Sequence, residues 1–205
     1  MKIKICGLKR AEDIDYVNEA LPDYAGFIIN FPKSHRNLDI QTARQLAGRL
    51  DKRIQAAAVI VDQPLKTAEE LLYSNEFDVI QLHGHEDNDY IDALKGCKQI
   101  WKAFRIIDEN DLARAAASHA DKVILDNGYG TGERFNWNLA KSAHGLLGDR
   151  FILAGGLTLE NIAEAAEIMQ PWGIDISSGV ETDGYKDKSK ILAINQRLAQ
   201  IDKDH

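Results

Sequence analysis

The sequence predicts an α/β chain folded as a single compact (β/α)₈ barrel, and three observations carry that reading. Short apolar runs alternate with segments of helical spacing eight times in 205 residues. Most of the runs are too short and too apolar to alternate cleanly between two faces, as expected of strands covered on both sides. Polar and glycine residues crowd the C-terminal ends of the runs, where the loops of such a barrel vary without disturbing the core beneath.

Taken in order, the first run is Lys2 to Cys6 and ends in Cys6-Gly7. The second, Tyr24 to Ile29, leads into Asn30-Phe31-Pro32-Lys33-Ser34-His35-Arg36. The third, Ile54 to Val61, is followed by Asp62-Gln63, and the fourth, Val79 to Leu82, by His83-Gly84-His85. The fifth, Gln99 to Phe104, meets Arg105; the sixth, Lys122 to Leu125, meets Asp126 and Asn127. The seventh, Phe151 to Ala154, ends in Gly155-Gly156, and the eighth, Ile174 to Ile176, in Ser177-Ser178-Gly179-Val180-Glu181. Between the runs, apolar residues recur three or four apart, as in Leu38, Ala43, Leu46, Ala47, Leu50 and in Ile162, Ala163, Ala166, Ile168, Met169, which is helical spacing. A helix after each strand makes the strands parallel. An open doubly wound sheet is the competing architecture, but Cys6-Gly7-Leu8-Lys9-Arg10 stands where its glycine fingerprint belongs.

No Ser-, Gly- or Pro-rich linker divides the chain, so residues 1–205 read as one domain. A formal net charge of −7, with no basic run and no interleaving of aromatic and basic residues, excludes a general nucleic-acid binder. No apolar stretch approaches the roughly 18 residues of a membrane span, and the N-terminus enters a strand directly, so a cytoplasmic location is expected. The two cysteines, Cys6 and Cys97, fall at opposite ends of the barrel, and no disulfide is expected.

The rim residues suggest chemistry. Gly155-Gly156 and Ser177-Ser178-Gly179 follow the seventh and eighth strands, where barrel enzymes commonly bind phosphate through loop amides. Asp126 ends an apolar run, so its carboxyl reads either as a solvated strand end or as a proton donor in a low-dielectric mouth. Cys6 reads either as a buried small hydrophobe or as a thiolate base near cations. Across the mouth the two would suit the movement of a proton off one atom and onto another. Arg36 could pair with a substrate carboxylate in bidentate fashion. His83 and His85 form an H-x-H pair, but further strand-end ligands are missing, and no metal is expected. Gly128-Tyr129-Gly130-Thr131-Gly132 departs from nucleotide-loop patterns and reads as a connection able to close over substrate. Trp101, Trp137 and Trp172 read as packing anchors.

Lys4-Ile5-Cys6-Gly7, Ser34-His35-Arg36, Gln81-Leu82-His83-Gly84, Leu125-Asp126 with Gly130-Thr131-Gly132, Leu153-Ala154-Gly155-Gly156-Leu157 with Glu160-Asn161, and Asp175-Ile176-Ser177-Ser178-Gly179-Val180-Glu181 with Lys186-Asp187 together resemble phosphoribosylanthranilate isomerase, the barrel enzyme of tryptophan biosynthesis. The resemblance runs in order along nearly the whole chain. It implies a cofactor-free Amadori rearrangement of a small phosphosugar, with Asp126 as general acid and Cys6 as general base. It further implies that Arg36 holds the anthranilate carboxylate, that Asp175 lies near the ribose hydroxyls, and that Gly155, Gly156, Ser177, Ser178 and Gly179 hold the phosphate. Two positions depart from the pattern: His35 stands where proline is usual, leaving that loop less rigid, and Lys9 stands where threonine is usual. The oligomeric state is left at monomer or homodimer. An isomerase of a related phosphosugar and a non-catalytic phosphosugar-binding protein are the competing readings.

Overall fold

The computed structural model describes residues 1–126 and 137–204, with side chains for all but 137–141 and 202–204. Asn127, the stretch Gly128-Tyr129-Gly130-Thr131-Gly132 and the side chain of Trp137 lie outside the described residues.

Eight parallel strands close into a ring: β1 (Lys2–Cys6), β2 (Tyr24–Ile29), β4 (Gln55–Ile60), β5 (Val79–Leu82), β6 (Gln99–Arg105), β7 (Lys122–Asp126), β8 (Phe151–Ala154) and β9 (Gly173–Ile176). The ring closes where β1 pairs with both β9 and β2, with Lys4 opposite Asp175 on one side and Cys6 opposite Gly26 on the other. The barrel expected from the alternation of runs is therefore the observed one.

Helices α1 (Ala11–Ala20), α2 (Ile40–Ala47), α3 (Leu65–Leu72), α4 (Asn88–Leu94), α5 (Glu109–Ala116), α6 (Trp137–Leu147), α7 (Ile162–Met169) and α8 (Lys188–Asp204) follow the ring strands in turn. Local chemistry sets their starts. Asp39, Asp87 and Asp108 each accept a main-chain N–H from the first turn of α2, α4 and α5, satisfying donors that have no partner within the helix.

Three small elements escape the periodicity of the sequence, because two residues of strand carry no readable alternation. β3 (Asn37–Leu38) adds a parallel rung beside β2, and β10 (Glu181–Thr182) with β11 (Tyr185–Lys186) forms an antiparallel hairpin after β9. Both sit on the C-terminal rim and brace the loops there.

The apolar core is split by the sheet. The larger cluster lies between strands and helices and includes Ile5, Phe27, Ile80, Leu125, Leu153 and Ile191. The smaller fills the ring with Tyr24, Ala57, Val79, Trp101, Ala103, Ile124, Ile152 and Ala154. Alternation along each strand then fixes what faces the mouth: Asp126 is two residues beyond Ile124, and Gln81 two beyond Val79, so both point inward above this floor. Trp101 and Trp172 are packing anchors, as expected. The Trp101 ring meets Tyr24 with centroids 4.8 Å apart and Trp172 at 5.9 Å, both edge to face. Replacing the fully buried Trp101 by alanine would leave a hole in the barrel floor. The expected loss is about 3–5 kcal/mol, measured as a shift in the urea unfolding midpoint.

Candidate active site

Cys6 ends β1 on the rim, with its thiol buried. Gly26 is the neighbour that makes room for it: a Cβ added there would stand 2.8 Å from Cys6 Sγ and 3.0 Å from Lys4 Nζ. The sulfur and the ammonium thus flank one point above β2. Lys4 is 1% exposed, and its Nζ donates to Asp175 Oδ2 at 2.7 Å. Burial works against the Lys4 charge, yet the Asp175 carboxylate and Cys6 more than offset it and its pKa stands above the usual lysine value. Burial likewise pushes the Cys6 thiol up, while Lys4 pulls it back.

Asp126 is the last residue of β7, three places around the ring from β1 rather than diametrically opposite. His83, just past the end of β5, lies beside it, with Nε2 3.8 Å from Asp126 Oδ2. Its ring is 41% accessible yet walled in by the strands, and that enclosure lowers its pKa against the pull of Asp126 and Asp175. Gln81 Nε2 lies 3.3 Å from His83 Nδ1. Two buried acceptors in this mouth, Gln81 Oε1 and Asp175 Oδ1, have no protein partner among the described residues.

Arg36 reaches the rim from the loop after β2 and meets Glu181 in a fork, Nε to Oε1 and Nη2 to Oε2, both at 2.6 Å. Lys186 Nζ donates to the same carboxylate at 2.7 Å and to the Ser177 carbonyl at 3.0 Å. Burial alone would raise the Glu181 carboxyl, but Arg36 and Lys186 pull it down to about 2. The two unusual residues, Lys9 and His35, also meet here: Lys9 Nζ donates to the His35 carbonyl at 3.2 Å and lies over the Tyr185 ring. A side-chain tether thus acts on the segment that lacks a proline.

Of the expected phosphate residues, Gly155 and Gly156 take φ of 86° and 63°, a left-handed conformation that glycine adopts without strain. Gly156 faces open space. A side chain at Gly179 would collide with the Leu157 carbonyl, so the loops after β8 and β9 touch backbone to backbone. Ser178 opens the short 3₁₀ turn Ser178–Val180. Ser177 is turned the other way: its Oγ donates to the Cys6 carbonyl at 3.0 Å and ties the end of β9 to that of β1.

Sequence reasoning passed over Lys4, Gln81, Glu181 and Lys186 as site residues, and weighed His83 only as a metal ligand. Lys4 stands two residues before Cys6 and so on the same face, but with Lys2 in the same strand nothing in the sequence marked it as buried. His85 pairs with Asp62, Nδ1 to Oδ2 at 3.0 Å, and points away from His83's partners. Among the described residues, no group of three His, Cys, Asp or Glu side chains is arranged to hold a metal ion. No helix among them is long and apolar enough to cross a membrane.

The family model described as N-(5′-phosphoribosyl)anthranilate (PRA) isomerase matches residues 3–197. A protein of Thermoanaerobacter pseudethanolicus named N-(5′-phosphoribosyl)anthranilate isomerase is 42% identical over 206 residues, covering 98% of this chain and 99% of its own. The crystal structure of phosphoribosyl anthranilate isomerase from Thermus thermophilus superposes with a TM-score of 0.86 at 31% identity, covering 98% of this chain and 100% of that one. A further phosphoribosyl anthranilate isomerase structure, in complex with reduced 1-(o-carboxyphenylamino)-1-deoxyribulose 5-phosphate, superposes with a TM-score of 0.86 at 26% identity, covering 98% of this chain and 99% of that one. The chain belongs to the N-(5′-phosphoribosyl)anthranilate isomerase family.

Proposed function

We propose that this protein isomerises N-(5′-phosphoribosyl)anthranilate to 1-(2-carboxyphenylamino)-1-deoxyribulose 5-phosphate in tryptophan biosynthesis, with Asp126 as general acid and Cys6 as general base. The observation that carries the assignment is Cys6, buried at the end of β1 beside the Lys4–Asp175 pair, on the same rim as Asp126 and the two touching loops after β8 and β9.

The reaction needs two proton movements. Protonated Asp126 gives its proton to the ribose ring oxygen, the C1′–O bond breaks, and the nitrogen lone pair forms the C1′=N iminium. Cys6 thiolate then takes the C2′ proton, and its electron pair moves toward nitrogen to give an enolamine that tautomerises to the ketone. The acid must be uncharged at the start and the base only moderately strong, because the iminium acidifies C2′. Neutral His83 beside Asp126 suits the first step, and Lys4 beside the sulfur suits the second. Both transfers are internal to the substrate and these two side chains, so the chemistry calls on no cofactor.

Binding follows from the donors and acceptors present. Gly155, Gly156, Ser178 and Gly179 bring main-chain amides close to the 5′-phosphate, with Ser177 bracing them against Cys6. Asp175 Oδ1 and Gln81 Oε1 are acceptors suited to ribose hydroxyls. Arg36 uses its Nε/Nη2 edge on Glu181, and the planar guanidinium has a second edge, Nη1/Nη2, for the anthranilate carboxylate.

Three outcomes test this reading. In buffer with a chelator, the fluorescence of freshly generated phosphoribosylanthranilate should decay rapidly with the native protein, whereas Cys6→Ser and Asp126→Asn should each lower kcat by about 10²-fold or more; a folded native protein without turnover would sink the assignment. Arg36→Met should raise KM about tenfold with a smaller change in kcat, and Arg36→Lys should not restore it because lysine lacks the fork; an unchanged KM would remove Arg36 from substrate binding. Glu181, held at about 2 in the folded chain, contributes stability that is present above the ordinary carboxyl range and lost as pH falls toward 2. Glu181→Gln should therefore lower stability by about 2 kcal/mol near neutrality. That gap in urea midpoints should close as the pH is lowered.

A further inference from the structure

The Lys4–Asp175 ion pair is buried at both ends, with side chains 2% and 7% exposed. A buried pair of this kind is weak evidence for stability, since apolar residues of similar volume commonly serve as well. Its place in the fold suggests a different reason for its presence. Lys4 and Cys6 project to the same side of β1, and both crowd the space that Gly26 leaves open. Asp175 occupies one of the three ammonium donors of Lys4, which leaves the others for the sulfur.

Resting on the isomerase reading above, we propose that Lys4 is a positioning residue for Cys6: its ammonium stabilises the buried sulfur as the thiolate that takes the C2′ proton, and Asp175 anchors that ammonium. The other charged groups acting on the sulfur are accounted for. Asp175, on β9, disfavours the thiolate; Lys186, on β11, favours it but is engaged by Glu181 and the Ser177 carbonyl. Arg36 is forked onto Glu181. Lys4 keeps two ammonium donors beyond its bond to Asp175, and the Cys6 thiol, which burial pushes up, is drawn back chiefly by Lys4.

The test uses the full chain carrying Cys97→Ser, so that Cys6 is the sole thiol; Cys97 is exposed and precedes the N-terminal end of β6, away from the C-terminal rim. Thiolate ultraviolet absorbance is followed against pH, with a Cys6→Ser protein as blank. Lys4→Met alone would strand Asp175 in the interior, so the comparison is between Asp175→Asn and the double variant Lys4→Met with Asp175→Asn, alongside Lys4→Arg. The thiolate midpoint should rise by about one pH unit or more when Lys4 is removed from the Asp175→Asn protein, a tenfold loss of thiolate at a given pH. Lys4→Arg, which keeps the cation, should titrate as the Cys97→Ser protein does and retain most of its kcat. Coincident midpoints with and without Lys4 would overturn the proposal, as would Lys4→Arg shifting as far as the double variant. The titration is read without substrate. A shifted midpoint in a protein that never turns over phosphoribosylanthranilate would uphold Lys4 and sink the isomerase, and the converse pair of results would do the reverse.

Discussion

The barrel closes on β1, and the candidate site sits at that closure. Where β1 meets β9, the main-chain ladder is reinforced by Lys4 lying opposite Asp175 and bonding to it in the interior. Where β1 meets β2, Cys6 lies opposite Gly26. Ser177 then crosses from the end of β9 to the carbonyl of Cys6. First and last strands of the ring are farthest apart in sequence, so the contacts of Lys4 with Asp175 and of Ser177 with Cys6 form only when the ring is complete. The Cys6 thiol therefore sits beside Lys4 and Asp175 only in the closed barrel.

A second set of ties organises the rim. Arg36 from the loop after β2, Glu181 from the start of β10 and Lys186 from β11 form a charge-assisted chain ending at the Ser177 carbonyl. Fork geometry on Glu181 fixes the plane of the Arg36 guanidinium, which a single hydrogen bond would leave free to rotate. On the far side of the ring, Glu86 accepts the main-chain N–H of Asp62 and of Gly84, and the buried Lys102 ties down its charge. The loops after β4 and β5 are thereby held together in the same manner, by a buried carboxylate answered by a lysine.

Much of this was legible in the residues. Eight apolar runs gave the barrel because parallel strands buried on both faces admit few polar residues, and the polar residues that end such runs mark the rim. Cys6, Asp126 and the glycines of the last two loops could be found that way. Lys4 could not, because a lysine in a strand reads as solvated until the register shows Asp175 beside it. The same holds for Lys102 and Glu86, whose burial depends on partners 16 residues apart. Ser177 and Ser178 are neighbours of one residue type, and only the backbone direction after β9 tells the brace from the residue that opens the turn. The fork between Arg36 and Glu181 spans 145 residues, beyond any spacing that periodicity can reveal.

Gly26 has no side chain, and that absence carries an evolutionary consequence. Sulfur and ammonium share a niche whose capacity is set by one missing methyl group, so whatever holds Cys6 and Lys4 in place bears on position 26 as well. Drift at position 26 is coupled to drift at positions 4 and 6: a side chain there would press on both the sulfur and the ammonium, and one of them must shift to admit it. Three residues on two neighbouring strands thus form one packing unit, to which the glycine contributes by what it lacks.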